Sequence, residues 1–194
     1  MRSILQFLLP LMMLSPVFGF KTVIIDPGHG GSDKGGAHSK VYEKHLALDT
    51  CLRLERYLKK KGYNVVMTRR TDRKLSLSDR YNLANKYNSK NTIFVSVHVN
   101  KAWNRKATGI ETFYYGKEGY KLAKAVQTKV IDKVGGYDRG LKFEKFKVIK
   151  YTRCPAILTE IGFVSNSLDR YKLRNGHYRE SIAKAIADGI AQYD

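Results

Sequence analysis

Two patterns of apolar residues alternate along the chain. Short apolar runs rich in β-branched residues predict strands buried on both faces, and longer stretches with apolar residues every three or four positions predict amphipathic helices. The predicted strands cover residues 22–26, 64–68, 92–100, 109–115, 145–150 and 156–163. The predicted helices cover roughly residues 43–61, 78–87, 118–133 and 178–193. This order is typical of one α/β domain built on a mainly parallel sheet.

The first nineteen residues follow a different pattern. Arg2 is followed by an apolar stretch over residues 4–14, and then by Pro16 and Gly19. That order predicts a secretory signal peptide, residues 1–19, which leaves residues 20–194 as the functional domain. The apolar stretch is short for a membrane span, so an uncleaved anchor is the alternative interpretation. We expect an exported protein, periplasmic or extracellular, with no transmembrane segment in the mature chain.

The charge of the chain points to an anionic partner. There are 36 Lys and Arg residues against 17 Asp and Glu, a net charge of +19, and the predicted leader contributes only Arg2, so +18 remains. The basic residues are spread along the chain, and such a field favours polyanions. Outside the cytoplasm the available polyanions are cell-wall polymers, acidic glycans and anionic lipid head groups, so we expect an anionic cell-wall surface as partner and no nucleic acid. Solubility alone is the alternative explanation.

The two cysteines do not define a disulfide scaffold. An exported location permits a bond between Cys51 and Cys154, and two buried, unpaired thiols are the alternative. The sequence leaves both possibilities open.

The segment VIIDPGHGGSDKGG, residues 23–36, carries the first candidate for chemistry. His29 follows a predicted strand and lies between glycines, which let the backbone approach a ligand closely. Open α/β sheets place their active sites at the carboxyl ends of strands, so His29 is a candidate metal ligand. A tight turn with a solvent-facing histidine is the alternative.

Two further residues extend this candidate site. Glu43 lies one turn before the apolar stripe of a predicted helix, and its carboxylate would need a partner if it were buried there. A charge at the solvent edge of the helix N-terminus is the alternative. His98 ends the strand in SVHVN, residues 96–100, with Ser96 and Asn100 on the same side. A hydrogen-bonded core histidine is the alternative there. Two imidazoles and one carboxylate suit a catalytic zinc with one open position.

Glu160 interrupts the apolar run of residues 156–163. Burial would raise the pKa of this carboxyl group towards the range that proton transfer needs. A glutamate on the solvent face of an edge strand is the alternative. Glu111 is a further candidate for the cleft.

The chain resembles the zinc-dependent N-acetylmuramoyl-L-alanine amidases of the bacterial cell wall. The resemblance covers about residues 21–193. It rests on motifs that occur in order: IDPGHGGSDKG, YEKHLALD, TRRTD, LSDRYNLAN, SVHVN, DRGLK, PAILTEIGFVSN and IADGIAQY. Each motif alone is weak, but the ordered set is specific.

The resemblance implies the fold, the metal and the reaction. The fold is a single α/β domain with a central, mixed, mostly parallel twisted sheet flanked by helices. One Zn²⁺ would be held by His29, Glu43 and His98, and Glu160 would be the catalytic residue. The substrate would be peptidoglycan or its muropeptide fragments, cut between N-acetylmuramic acid and L-alanine during remodelling, daughter-cell separation or turnover of the wall.

Regulation is expected to differ from that of the many periplasmic family members that carry a helical insertion over the zinc after the SVHVN-like motif. Only residues 101–108 separate this motif from the next predicted strand here, so no autoinhibitory helix is expected. We also expect a monomer.

Two other functions compete with the amidase hypothesis. One is a catalytically inactive wall-binding module, and the other is an exported nucleic-acid binder, which would leave both histidines and Glu160 unexplained.

Overall fold

The computed structural model describes residues 19–194. The predicted signal peptide, residues 1–19, therefore lies outside the described residues except for Gly19. Among residues 19–194, none of the helices is long and apolar enough to span a bilayer.

A six-stranded mixed sheet forms the centre of the described fold. The described residues form eight strands in two sheets: β1 (Thr22–Pro27), β2 (Ala37–His38), β3 (Val41–Tyr42), β4 (Asn64–Met67), β5 (Thr92–Asn100), β6 (Ile110–Tyr114), β7 (Asp138–Phe143) and β8 (Ala156–Phe163). The order in the large sheet is β4-β1-β5-β8-β6-β7, while β2 and β3 form a separate two-stranded sheet. The first four strands of that order are parallel, and β6 runs antiparallel to β8.

The register places several carboxyl ends side by side. Pro27 at the end of β1 pairs with Val97 of β5, and the next residue of β5, His98, pairs with Glu160 of β8. The sheet therefore brings three sequence-distant motifs to one edge.

Helices cover the two faces of the sheet unequally. The helices are α1 (Glu43–Lys60), α2 (Leu77–Ala84), α3 (Gly116–Val134), α4 (Lys147–Lys150), α5 (Ser167–Arg174) and α6 (Gly176–Tyr193). The larger apolar cluster lies between the sheet and α1, α3 and α6, and a smaller one lies under α2 and α4. The expected α/β architecture is confirmed.

One predicted strand is wrong. Residues 145–150 were expected to alternate as a strand, but Lys147–Lys150 form a single helical turn. Val148 and Ile149, two adjacent residues of this turn, are both buried in the same apolar cluster. Adjacent residues of a strand could not share one cluster in this way, because their side chains point to opposite faces of the sheet. Strand β7 and helix α5 were not predicted. The signal for α5 is Asn166, whose side chain accepts hydrogen bonds from the first helical N–H groups.

The structure decides between the two alternatives for the cysteines and describes the segment after β5. Cys51 and Cys154 are free and buried in the clusters on opposite faces of the sheet, which confirms the unpaired alternative. Residues 101–109 join β5 to β6 without any helix.

Candidate metal centre and active site

The loop after β1 presents His29 to the cleft. His29 adopts a left-handed backbone conformation with φ +56°, and its ring is about one-quarter exposed. A Cβ at Gly28 would lie 2.5 Å from the ring of His98, and a Cβ at Gly35 would lie 2.5 Å from Glu43 Oε2. The glycines are therefore required for the three candidate ligands to approach one another.

Glu43 begins α1 and is buried, not at the solvent edge. Its Oε1 accepts a hydrogen bond from the Val99 N–H at 3.0 Å, and its Oε2 accepts one from the Gly36 N–H at 2.6 Å. Oε1 also lies 3.1 Å from His29 Nε2 and 2.8 Å from His98 Nδ1. Burial would raise the pKa of Glu43, but the contacts with both histidines hold that pKa well below its usual range.

His98 projects from the end of β5 into the same space. Its ring lies 4.9 Å from the ring of His29 in an edge-to-face arrangement, with an interplanar angle of 77°. One ligand atom each from His29, Glu43 and His98 lie within 4.8 Å of one another. The structure thus brings together the three residues predicted to bind the metal.

Asp33 orients His29 and was not predicted from the sequence. His29 Nδ1 donates to Asp33 Oδ2 at 2.8 Å, and Asp33 Oδ1 accepts from the Gly35 N–H at 3.1 Å. With Nδ1 protonated, Nε2 is left to face Glu43, as a metal ligand requires. Burial opposes protonation, but the hydrogen bonds to Glu43 and Asp33 raise the pKa of His29 above its ordinary value.

Two buried arginines hold the carbonyl groups of this loop. Arg69 donates to the carbonyl oxygens of Pro27 at 3.0 Å and Gly28 at 2.6 Å. Arg80 donates to the carbonyl oxygens of Pro27 at 2.7 Å and His29 at 2.9 Å. These arginines belong to the TRRTD and LSDRYNLAN motifs, so those motifs serve to fix the backbone around His29.

Asp26 balances part of this buried positive charge. Arg80 Nη1 lies 2.8 Å from Asp26 Oδ1, and both side chains are almost fully buried. The hydroxyl groups of Thr68 and Ser96 also donate to Asp26, at 2.6 and 2.7 Å. Because all these groups are paired, the network fixes the end of β1 without leaving an unpartnered charge.

Glu160 lies on a central strand, between His98 of β5 and Glu111 of β6. Its Oε2 is buried and has no hydrogen-bond partner among the described residues. Burial, reinforced by the nearby carboxylates of Glu43 and Glu111, raises the pKa of Glu160 well above its usual value. Glu160 lines a cavity of about 680 Å³ together with His29 and His98.

Glu111 does not share this availability. Its carboxylate is buried, accepts hydrogen bonds from Asn100 Nδ2 at 2.8 Å and Arg139 Nε at 2.6 Å, and pairs with Lys142. Burial raises its pKa, but Lys142 and Arg139 reverse that effect and lower the pKa below its usual value. Glu111 is therefore ionised and internally satisfied, and it is absent from the lining of the cleft.

The other histidines lie outside the centre. His38 is half-buried in β2 and contacts Ser39, while His45 and His177 are exposed. His45 Nε2 lies 3.4 Å from Asp72 Oδ2. Among the described residues, only His29, Glu43 and His98 group in a manner that suits a metal ion.

The chain is similar to known N-acetylmuramoyl-L-alanine amidases in sequence and in fold. A family model described as N-acetylmuramoyl-L-alanine amidase matches residues 23–192. The crystal structure of N-acetylmuramoyl-L-alanine amidase from Clostridium difficile 630 is 39% identical, with a TM-score of 0.85, and the match covers 91% of this chain and 97% of that one. The catalytic domain of CwlV, an N-acetylmuramoyl-L-alanine amidase from Bacillus (Paenibacillus) polymyxa var. colistinus, is 34% identical, with a TM-score of 0.85 and coverage of 90% and 98%.

A longer relative is also similar. The probable cell wall amidase LytH of Staphylococcus epidermidis is 34% identical over 176 residues, which is 89% of this chain. This chain spans 58% of the length of that relative.

Proposed function

The chain belongs to the N-acetylmuramoyl-L-alanine amidase family, and from this premise we propose that it hydrolyses the amide between N-acetylmuramic acid and the L-alanine of peptidoglycan stem peptides. The observation that carries the proposal is that a three-ligand cluster and Glu160, whose Oε2 is buried without a hydrogen-bond partner, lie in one cleft. Amide hydrolysis needs both an electrophile for the carbonyl oxygen and a group that moves a proton from water to the leaving nitrogen.

The residues of the cluster fit a zinc ion. Two imidazole nitrogens and one carboxylate oxygen form a ligand set typical of catalytic zinc sites with an open position. Glycine at positions 28 and 35 leaves the space in which these groups converge. We propose that His29, Glu43 and His98 hold one Zn²⁺, which would polarise the scissile carbonyl and acidify the attacking water when bound.

Glu160 moves the proton in this mechanism. Its unpartnered Oε2 accepts a proton from the attacking water as the new C–O bond forms at the lactyl carbonyl carbon. The same oxygen then delivers that proton to the nitrogen of L-alanine as the C–N bond breaks. The products are the lactyl carboxylate on the sugar and a stem peptide with a free amino group. The raised pKa of Glu160 suits both halves of this transfer.

The remaining groups act on the backbone around the metal. Arg69 and Arg80 fix the loop that carries His29, and Asp33 selects the ring nitrogen of His29 that faces Glu43. This preorganisation keeps the ligands in place before substrate arrives.

Digestion of purified peptidoglycan tests the proposed function. Purified protein loaded with zinc, with no other protein added, should release stem peptides that begin with a free alanine amino group. A chelator should stop the release, and added zinc should restore it. Intact stem peptides after incubation with the zinc-loaded protein would contradict the proposal, and release that resists chelation would contradict the metal.

We also propose that the protein works outside the cytoplasmic membrane and approaches the wall by electrostatic attraction. The net charge of +19, which becomes +18 without Arg2 of the predicted leader, provides a long-range attraction for anionic wall polymers. Binding to insoluble peptidoglycan should weaken as salt rises from about 0.05 to 0.5 M, because the Debye length falls from more than about 10 Å to a few Å. Binding that is unchanged over this range would mean that the charge serves solubility instead.

A further inference from the structure

The cleft beside the metal centre contains three lysines that the hydrolysis does not use. We call Lys74, Lys145 and Lys147 the lysine cluster. All three are exposed, and they line the same cavity of about 680 Å³ as His98 and Glu160. Lys74 precedes α2, while Lys145 and Lys147 lie at the start of α4. Two separate segments therefore bring positive charge to one wall of the cleft.

The charge of the lysine cluster is not neutralised by the protein. Among the ion pairs of the described residues, none involves Lys74, Lys145 or Lys147. The acidic groups of the same cavity are already engaged or buried. Asp26 pairs with Arg80, Asp33 accepts from His29, and Glu160 is the proposed proton carrier. Like charges that share a cavity repel one another, and a bound anion would relieve that repulsion.

The same wall also offers apolar surface. Phe146 is 40% exposed and Leu77 is 51% exposed, and both line the same cavity as the lysines. Phe146 is held in place by Phe113, whose ring centroid is 5.0 Å away. The wall is therefore matched to a ligand that combines carboxylates with small apolar groups, which describes a short acidic peptide better than a neutral sugar.

We propose that the lysine cluster binds the free α-carboxylate of the second residue of the stem peptide and gives the enzyme a preference for stem peptides that are not amidated there. This inference rests on the proposed function. The second residue of the stem peptide is a glutamate linked through its side-chain carboxyl, so its α-carboxylate stays free close to the scissile amide unless it is converted to a carboxamide. Lysine suits this role because its ammonium group acts as a mobile point charge.

Two matched muropeptides test the inference. They carry the same sugar and stem peptide and differ only in a free carboxylate or a carboxamide at the second residue. Wild-type protein should cleave the free acid with a kcat/KM about tenfold higher or more, since a charge-assisted hydrogen bond contributes about that factor. In Lys145→Gln/Lys147→Gln this preference should largely disappear, through a higher KM for the free acid, while kcat/KM for the carboxamide stays near wild type.

Two control variants separate this effect from loss of charge or of fold. Lys90→Gln/Lys124→Gln removes the same charge from a different cavity at the start of β5 and should keep the preference. Lys145→Arg/Lys147→Arg keeps the charge and should retain most of the preference. Equal cleavage of both compounds by wild-type protein would overturn the inference. So would a preference that survives in Lys145→Gln/Lys147→Gln, or an equal loss on both compounds. If zinc-loaded wild-type protein cleaves neither compound, the proposed function itself fails.

Discussion

The loop after β1 and strand β8 line the same cleft, but their polar groups are satisfied to different degrees. We call the loop together with Glu43 and Arg80, which pack around it, the loop side. On the loop side, Glu43 accepts four close contacts from N–H groups and imidazoles, and Arg80 is paired with Asp26 and with backbone carbonyls. On β8, one oxygen of Glu160 is buried without a hydrogen-bond partner among the described residues. The carboxyl groups of Glu43 and Glu160 thus have opposite pKa shifts.

The difference separates groups that hold geometry from groups that act. A buried polar atom without a partner costs stability, whereas a paired one fixes the position of its neighbours. The loop side therefore keeps the proposed metal ligands in place. Glu160 retains an unmet hydrogen bond that water or substrate can satisfy, which is why we assign the proton transfer to it.

Removing the imidazoles on the loop side should have the largest effect. In His29→Ala/His98→Ala only one of the three proposed ligands remains, so bound zinc and hydrolysis should be lost together. Metal analysis and peptide release measured on the same preparation check this. His45→Ala/His177→Ala, which changes two exposed histidines, should keep both properties. Full zinc occupancy in His29→Ala/His98→Ala would contradict the assignment of His29 and His98 as zinc ligands.

Changing Glu160 should remove the chemistry and leave the metal. Glu160→Gln keeps the shape of the side chain but cannot carry the proton, and general acid–base groups contribute about 10²–10⁴-fold. Turnover should fall by about that factor, with zinc content and thermal unfolding near wild type.

Two outcomes would contradict the role of Glu160. Loss of zinc in Glu160→Gln would make Glu160 a ligand, and near-normal peptide release would mean that another group moves the proton. The charge-matched control is Glu144→Gln, which removes an exposed carboxylate and should leave turnover unchanged.

Breaking the buried ion pair between Arg80 and Asp26 should lower the free energy of unfolding. Arg80→Met leaves the Asp26 carboxylate buried without its cation and removes the donor to the His29 carbonyl. Loss of one partner of a buried ion pair costs about 3–5 kcal/mol, so the free energy of unfolding should fall by about that amount. Urea unfolding of the metal-free protein measures it. Arg56→Met, which breaks a contact of a 61% exposed side chain with Glu180, should cost less than about 1 kcal/mol. Equal effects of the two substitutions would refute the structural role of Arg80.

Most of the fold and the proposed chemical groups could be predicted from the sequence. Each of His29, Glu43, His98 and Glu160 carries a local signal: a glycine-flanked turn, the start of an apolar stripe, the tip of a strand, or a charge within an apolar run. The resemblance joined these signals into one site. The local alternatives are excluded because Glu43 is buried at the start of α1 and Glu160 lies on a central strand of the sheet, not on an edge strand.

The supporting groups could not be predicted because their partners lie far away in sequence. Arg69 and Arg80 bind backbone carbonyls that lie about 40 to 50 positions earlier, and a carbonyl leaves no mark on the sequence. The antiparallel direction of β6 is likewise set by its pairing with β8 and not by its composition. The turn at residues 147–150 was assigned to a strand because a short run of alternating lysines and apolar residues fits both periods.

The smallest effect is expected for Asp33. Its side chain is half-exposed, but it contacts His29, a proposed metal ligand. Asp33→Asn keeps an oxygen that can accept from His29 Nδ1 but removes the negative charge that makes the ring a stronger ligand. Groups that orient metal-binding histidines typically contribute about 10–100-fold to metal affinity, so competition with a chelator should show zinc affinity reduced by about that factor. Asp132→Asn, which removes an exposed charge on α3, should bind zinc like wild type. At saturating zinc, Asp33→Asn should recover most of its turnover, because Asp33 acts through His29 and not on the substrate. Wild-type zinc affinity in Asp33→Asn would show that the loop backbone alone orients His29.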